Sequence, residues 1–216
     1  MPDVIFAGSA GRLEGRYQPG RESTSPIALV LHPHPLYGGT MNNKVVYTIF
    51  HAFAQLGFAT LRFNFRSVGR SQGSFDSGVG ELADAAAALD WLQSMNVNAR
   101  ACWISGFSFG AWISMQLLMR RPEISGFISV SPPANLFDFM FLAPCPASGL
   151  ILHGSNDELV PEKEVLRLAE RLAQQRGITV KYKQIRGASH FYEDRQDELA
   201  QQIQLYLEEA ATVGRA

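Results

Sequence analysis

The chain has 216 residues, 46% of them hydrophobic and 18% charged, the proportions of a folded protein and not of a disordered or fibrous one. That length suits one domain over residues 1–216, burying roughly 70% of its unfolded surface. A net charge of −1 with no polybasic run excludes general attraction to nucleic acid or an anionic membrane, and two distant cysteines, Cys102 and Cys145, exclude a disulfide framework and a paired zinc or redox motif.

Asp3 precedes a short apolar stretch with no basic segment, so no secretory leader is expected and the cytoplasm is the default location. Residues 4–7 and 12–18 form an opening hairpin around Gly8 and Gly11. The apolar runs 27–32 and 58–65 suit strands buried on both faces. Between them a helix over about 43–56 carries Val46, Ile49, Phe50 and Phe53 on one stripe and stops at Gly57. A glycine- and serine-rich loop over 67–80 leads to a helix over 81–93. A strand over 101–107 follows, then a helix over about 109–121 ended by Pro122, then short buried strands at 127–130 and 150–153. The most apolar region, 136–152, is broken by Asp138, Pro144 and Pro146, so no membrane span is expected. Pro161 is placed at the first position of a helix that Gly177 closes. A last strand covers 179–185, a C-terminal helix from about Arg195 turns Leu199, Ile203 and Tyr206 inward, and the tail beyond it is expected to fray. Alternating strands and helices imply a mostly parallel sheet covered on both faces, an α/β fold.

Gly106-Phe107-Ser108-Phe109-Gly110 falls between a strand and a helix. There, Gly-x-Ser-x-Gly has a mechanical meaning: a strained turn projects the serine hydroxyl while small residues let strand and helix approach. A serine hydroxyl needs a base and an acid that orients it. Asp157 and His190 each lie in a loop just after a strand, in the order Ser, Asp, His. Taken alone, Asp157 reads as a turn or helix-capping aspartate and His190 as a surface histidine; their joint placement favours catalysis. Glu158 and Asp138 rank below Asp157 as the acid, while His51 falls within a helix and His153 reads as a packing residue at a strand end.

The loop from His32 to Gly39 would supply the second oxyanion donor. Pro33 and Pro35 have no N–H, so the donor is His32, His34, Leu36 or a residue beyond; His34 is the first choice, with Phe109 N–H as its partner. Two histidines without a third ligand are a poor metal site, so neither metal nor cofactor is expected.

These segments resemble the α/β-hydrolase superfamily, in particular its small, lidless serine esterases near the dienelactone-hydrolase-like proteins. His32-Pro33-His34-Pro35 stands where that family has its His-Gly-x oxyanion loop, Arg66-Ser67-Val68-Gly69-Arg70-Ser71 is similar to its Arg-Gly-x-Gly-x-Ser turn, and Gly106 to Gly110 to its nucleophile elbow. The resemblance implies an eight-stranded, largely parallel sheet with the active site at the strands' carboxyl ends, and Asp157 and His190 as acid and base. Proline stands at Pro33 where the family has glycine, and the nucleophile is serine where dienelactone hydrolase itself has cysteine.

Residues 131–148 are too few for an inserted cap. Leu136, Phe137, Phe139, Met140, Phe141 and Leu142 there either pack in the core, line an acyl pocket or cover a homodimer face; Leu36, Tyr37, Phe137, Phe139 and Met140 are the substrate-contact candidates. Arg62 and Arg66 read as structural ion pairs before substrate contacts. The expectation is a carboxylesterase-like serine hydrolase acting on a small acyl substrate. A peptidase, amidase or thioesterase with the same triad is its rival, and a non-catalytic binding protein on a hydrolase scaffold a rival of another kind.

Overall fold

The computed structural model describes residues 3–212. Eight strands form one sheet: β1 (Asp3–Gly8), β2 (Gly11–Gln18), β3 (Ile27–Leu31), β4 (Ala59–Phe63), β5 (Cys102–Phe107), β6 (Ile124–Val130), β7 (Ser148–Gly154) and β8 (Val180–Ile185). Their spatial order is β1-β2-β4-β3-β5-β6-β7-β8. The opening hairpin pairs antiparallel to itself and to β4, and every later pairing is parallel. Helices α1 (Lys44–Gln55) and α5 (Gln196–Thr212) cover one face, and α2 (Val79–Met95), α3 (Phe109–Leu118) and α4 (Glu162–Ala173) the other. Every residue of β3, β4, β5 and β7 is buried, which is why these runs are mostly apolar; edge strands β1 and β8 expose part of their length. The tail after α5 lies in 213–216, outside the described residues, and among the described residues no helix is long and apolar enough to cross a membrane.

Several boundaries differ from the sequence reading. Helix α2 starts at Val79, ahead of Glu81, because the buried Glu81 carboxylate reaches back to the N–H groups of Asp76 (3.0 Å) and Gly78 (2.7 Å) and caps the extra turn. Helix α3 stops at Leu118, short of Arg121: the residue before Pro122 is pushed out of helical geometry, and Arg121 instead pairs with Asp90 and Glu123. Pro161 caps α4 and does not begin it; its carbonyl accepts the Glu164 N–H at 3.0 Å. That helix ends at Ala173, so Gly177 (φ +84°) serves the turn into β8. In α5, Leu207 takes the inward position one turn beyond Ile203, and Tyr206 sits half-buried at its flank with its ring edge-on to Trp103. Strands β6 and β7 extend back through Gly126 and Gly149, where a Cβ would lie 2.6 Å from the Trp103 ring and 2.4 Å from the Phe127 ring.

The segment between β6 and β7 contains no helix or strand, so nothing resembling a large cap stands over the sheet. Most of its apolar residues fold inward, Phe139 and Leu142 into the core; Leu136 and Met140 are its exposed members. The loop between β4 and α2 is fastened by a buried ion pair: Arg66 donates from Nε (2.9 Å) and Nη2 (2.8 Å) to the two oxygens of Asp84, and its backbone N–H adds a third bond at 2.9 Å. Arg62 has no such partner; it donates to the Met41 carbonyl and to Asn42 Oδ1 and lies over the rings of Tyr47 and Phe50. Removing one member of the buried pair strands the other, so Asp84→Ala should destabilise the protein by about 3–5 kcal/mol in urea unfolding, whereas Arg66→Met/Asp84→Leu should lose much less.

Candidate active site

Ser108 sits between the last residue of β5 and the first of α3 with φ +54° and ψ −121°, a backbone state that non-glycine residues rarely hold. Its N–H donates to the Val130 carbonyl (2.9 Å) and its carbonyl accepts the Ala111 N–H (2.8 Å). The flanking glycines have separate causes. A Cβ on Gly106 would lie 2.2 Å from the Gly110 carbonyl oxygen, and one on Gly110 would lie 2.4 Å from the Leu31 and 2.6 Å from the His32 carbonyl oxygen. The elbow therefore packs β5 against α3, and α3 against the end of β3.

Strain aims the Ser108 hydroxyl at His190, whose Nε2 lies 3.1 Å from Oγ. The other ring nitrogen, Nδ1, is 2.8 Å from Asp157 Oδ2. An ionised carboxylate only accepts, so Nδ1 carries the hydrogen and Nε2 is free to accept from the serine hydroxyl. His190 is held by the rings of Phe107 and Phe191, with centroids at 5.0 and 5.2 Å. Its loop is anchored by the fully buried Tyr192, whose hydroxyl lies 3.1 Å from Ser131 Oγ. Asp157 comes from the loop after β7, and its Oδ1 accepts the N–H groups of Leu159 (3.0 Å) and Val160 (2.8 Å). It is thus both the turn aspartate and the partner of His190. Burial alone would raise the Asp157 carboxyl, but the hydrogen bond and charge of His190 and the Val160 N–H bring it below the usual carboxylate range. Glu158 does not face the imidazole; it accepts the backbone N–H of His190 at 3.3 Å. Asp138 is turned toward the Met140 N–H (2.7 Å).

The loop after β3 closes the site. Residues Pro35–Tyr37 form a 3₁₀ turn capped by His34, whose Nδ1 accepts the Leu36 N–H at 3.2 Å; Tyr37 and Gly39 donate to the His34 carbonyl (both 3.1 Å). Beyond His34, the amides of Leu36, Tyr37 and Gly39 are therefore committed within the loop. The His34 ring lies 4.8 Å from that of Phe109, which stands in the first turn of α3, where amides have no carbonyl behind them in the helix.

These groups open into a cavity of about 710 Å³ lined by His34, Ser108, Phe109 and His190, with Tyr37, Gly38, Gly39 and Asn43 on one side and Pro133, Leu136, Phe137, Leu159, Val160 and Phe191 on the other. Tyr37 and Phe137, two of the expected substrate contacts, are on this wall. Leu36, Phe139 and Met140 are not. Both Leu36 and Tyr37 are exposed, and of the two only Tyr37 also borders the cavity, since neighbours in a 3₁₀ turn point about 120° apart. Phe139 is buried beside Phe141, and Met140 turns its sulfur to the Arg171 guanidinium in a separate groove against α4. The sequence reading missed Leu159, Val160 and Phe191, although an apolar residue directly after a candidate base or acid is a usable signal.

The chain matches the profile of the X-Pro dipeptidyl-peptidase family (S15) over residues 16–206. It belongs to that family. The uncharacterized protein RP471 of Rickettsia prowazekii (strain Madrid E) is 54% identical over 211 residues, 96% of this chain and 89% of that protein. ATU1826 of Agrobacterium tumefaciens, a protein of unknown function proposed to be an α/β hydrolase, is 56% identical with a TM-score of 0.95, covering 99% of this chain and 98% of that one. XC6422 of Xanthomonas campestris, described as a serine hydrolase without a lid, is 32% identical with a TM-score of 0.86, covering 96% and 94%. The α/β-hydrolase resemblance and the capless, mostly parallel sheet are thereby borne out.

In this S15-family chain His32, the first histidine of the His32-Pro33-His34-Pro35 stretch, has both ring nitrogens committed to backbone: Nδ1 to the Pro33 carbonyl (2.6 Å), Nε2 to the Phe65 N–H (3.0 Å). It ties the ends of β3 and β4 together, and neither nitrogen is left for a metal. Burial pushes its pKa down from the ordinary 6.5 to about 3. The unfolded chain therefore takes up a proton that the folded chain refuses, and stability present above pH 6.5 is lost as the pH falls toward about 3. Chemical denaturation across that window should show a pH slope for His32→Gln shallower by up to about one proton than for wild type.

Proposed function

We propose that this chain hydrolyses small, uncharged esters by acyl transfer through a serine, as a cytoplasmic enzyme without a cofactor. Ser108 attacks the carbonyl; His190 takes the hydroxyl proton and returns it to the leaving alcohol; Asp157 holds the imidazole's tautomer and stabilises the imidazolium; the N–H groups of His34 and Phe109 bind the oxyanion. Water, activated by His190 in turn, releases the acid from Ser108. The hydrogen-bonded line from Asp157 through His190 to a strained serine carries this reading. A scaffold kept only for binding has no use for that strain.

The S15 family takes its name from release of N-terminal X-Pro dipeptides. An enzyme that counts residues from a free N-terminus needs a carboxylate for the α-ammonium group. Among the described residues the cavity wall has no Asp, Glu, Lys or Arg, and its aromatic and aliphatic side chains suit an uncharged substrate with an apolar acyl or alcohol group. This supports an ester over a dipeptide; a thioester meets the same wall and is an arm of the test.

A fluorophosphonate should label Ser108 stoichiometrically, with Ser108→Ala unlabelled and inactive; mass spectrometry that finds the adduct elsewhere overturns the nucleophile. In a screen of acetyl to palmitoyl esters, thioesters and X-Pro anilides, short uncharged esters should give the highest kcat/KM and the anilides none. Asp157→Asn should lower kcat by on the order of 10⁴ with the fold retained by circular dichroism, while Glu158→Gln should cost less than about tenfold. The reverse ranking would move the acid to Glu158.

A further inference from the structure

The sequence reading took His153 as a packing residue. Its ring, near the end of β7, is fully buried, yet it lies between two polar groups. Nε2 is 3.1 Å from the Val160 carbonyl oxygen, which only accepts, so in the neutral ring Nε2 carries the hydrogen and Nδ1 a bare lone pair. Nδ1 has no hydrogen-bond partner and lies 3.7 Å from Asp157 Oδ2, the same oxygen that His190 engages at 2.8 Å. Two acceptors face each other with no proton between them. Val160 meanwhile is gripped from both sides, its N–H by Asp157 Oδ1 (2.8 Å) and its carbonyl by His153, and the residue borders the cavity.

We propose that His153 is a proton-operated positioning residue: neutral, it fixes the cavity wall through Val160; protonated, it places Nδ1–H on Asp157 Oδ2 and competes with His190 for the carboxylate. The proposal rests on the triad reading for its kinetic consequence, and on geometry alone for the shared oxygen. The charged and titratable groups whose fields reach His153 are Asp157 in the loop that follows its strand and Glu162 at the start of α4, which favour its proton, and His190 from the loop after β8, which opposes it. Burial opposes it most, keeping His153 below the ordinary imidazole range and hence neutral at neutral pH. As the pH falls, a second imidazolium forms on the oxygen that must stabilise the His190 imidazolium during turnover. Loss of activity on the acid side then includes the proton taken up by His153.

Side-chain nitrogen NMR on the intact protein reads the geometry without substrate. The expected result is a His153 Nε2–H tautomer at neutral pH, with a midpoint that falls in Asp157→Asn because the favouring charge is gone. An Nδ1–H tautomer, or a midpoint indifferent to Asp157→Asn, overturns the shared oxygen whether or not the chain is an esterase. The kinetic arm uses kcat/KM against pH, each protein normalised to its own alkaline plateau. The wild-type acid limb should steepen beyond a one-proton slope, whereas His153→Gln, which can donate to Val160 but takes no proton, should fall with one proton throughout. His153→Phe, lacking the donor, should raise KM more than it lowers kcat, with Gln restoring KM. If wild type and His153→Gln have identical normalised profiles, the competition for Asp157 is refuted even if the triad stands.

Discussion

The structure depends on one short covalent stretch in which strand β5 turns into helix α3. Ser108 can hold its left-handed backbone only because nothing larger than hydrogen projects from Gly106 and Gly110, and these contacts bring the end of β3 against the first turn of α3. That contact sets the distance between the loop carrying His34 and the amide of Phe109. The elbow thus determines where the hydroxyl points and how wide the space in front of it is. The parallel pairing of β5 through β8 then delivers the loops after β7 and β8 to the same edge of the sheet, where Asp157 and His190 meet it.

Around that edge the protein segregates its polarity. His32, His153, His190 and Asp157 are all buried or nearly so, and each is satisfied by backbone or by one of the others, apart from the single open nitrogen of His153. Among the described residues the cavity wall beside them carries no Asp, Glu, Lys or Arg. One carboxylate, Asp157, and its imidazole partners lie behind the Ser108 hydroxyl, and the charge is kept off the cavity wall. In such low-dielectric surroundings each hydrogen bond in the line is stronger and each missing one more costly than in water.

Much of this was legible from residue order. Mostly apolar runs marked β3, β4, β5 and β7 because both faces of these strands are buried. Ser108, Asp157 and His190 stood out because each follows a strand and the three fall in one order. Helix ends were harder: Glu81 reaches back to cap a turn that its position alone assigned to the loop, and Pro122 acts on the residue before it, so α3 ends earlier than the apolar pattern suggests. The cavity wall was least legible. Leu36 and Tyr37 are adjacent and both exposed, and only the 3₁₀ turn brings one of them, Tyr37, to the rim of the cavity. Phe139 and Met140 were separated from Phe137 by the packing of their loop against α4, a contact distant in sequence.

Asp157 uses its two oxygens for different tasks, Oδ2 for His190 and Oδ1 for the backbone N–H groups of Leu159 and Val160. The acid is thus clamped by main chain, and the side chains at Leu159 and Val160 take no part in holding it. An evolving lineage can exchange those two side chains, enlarging or narrowing the pocket, while the amides that steady the carboxylate stay where they are. In the proposed reaction, the chemistry and the choice of substrate would be encoded in the same short loop but in different atoms of it, so one could drift while the other stayed fixed.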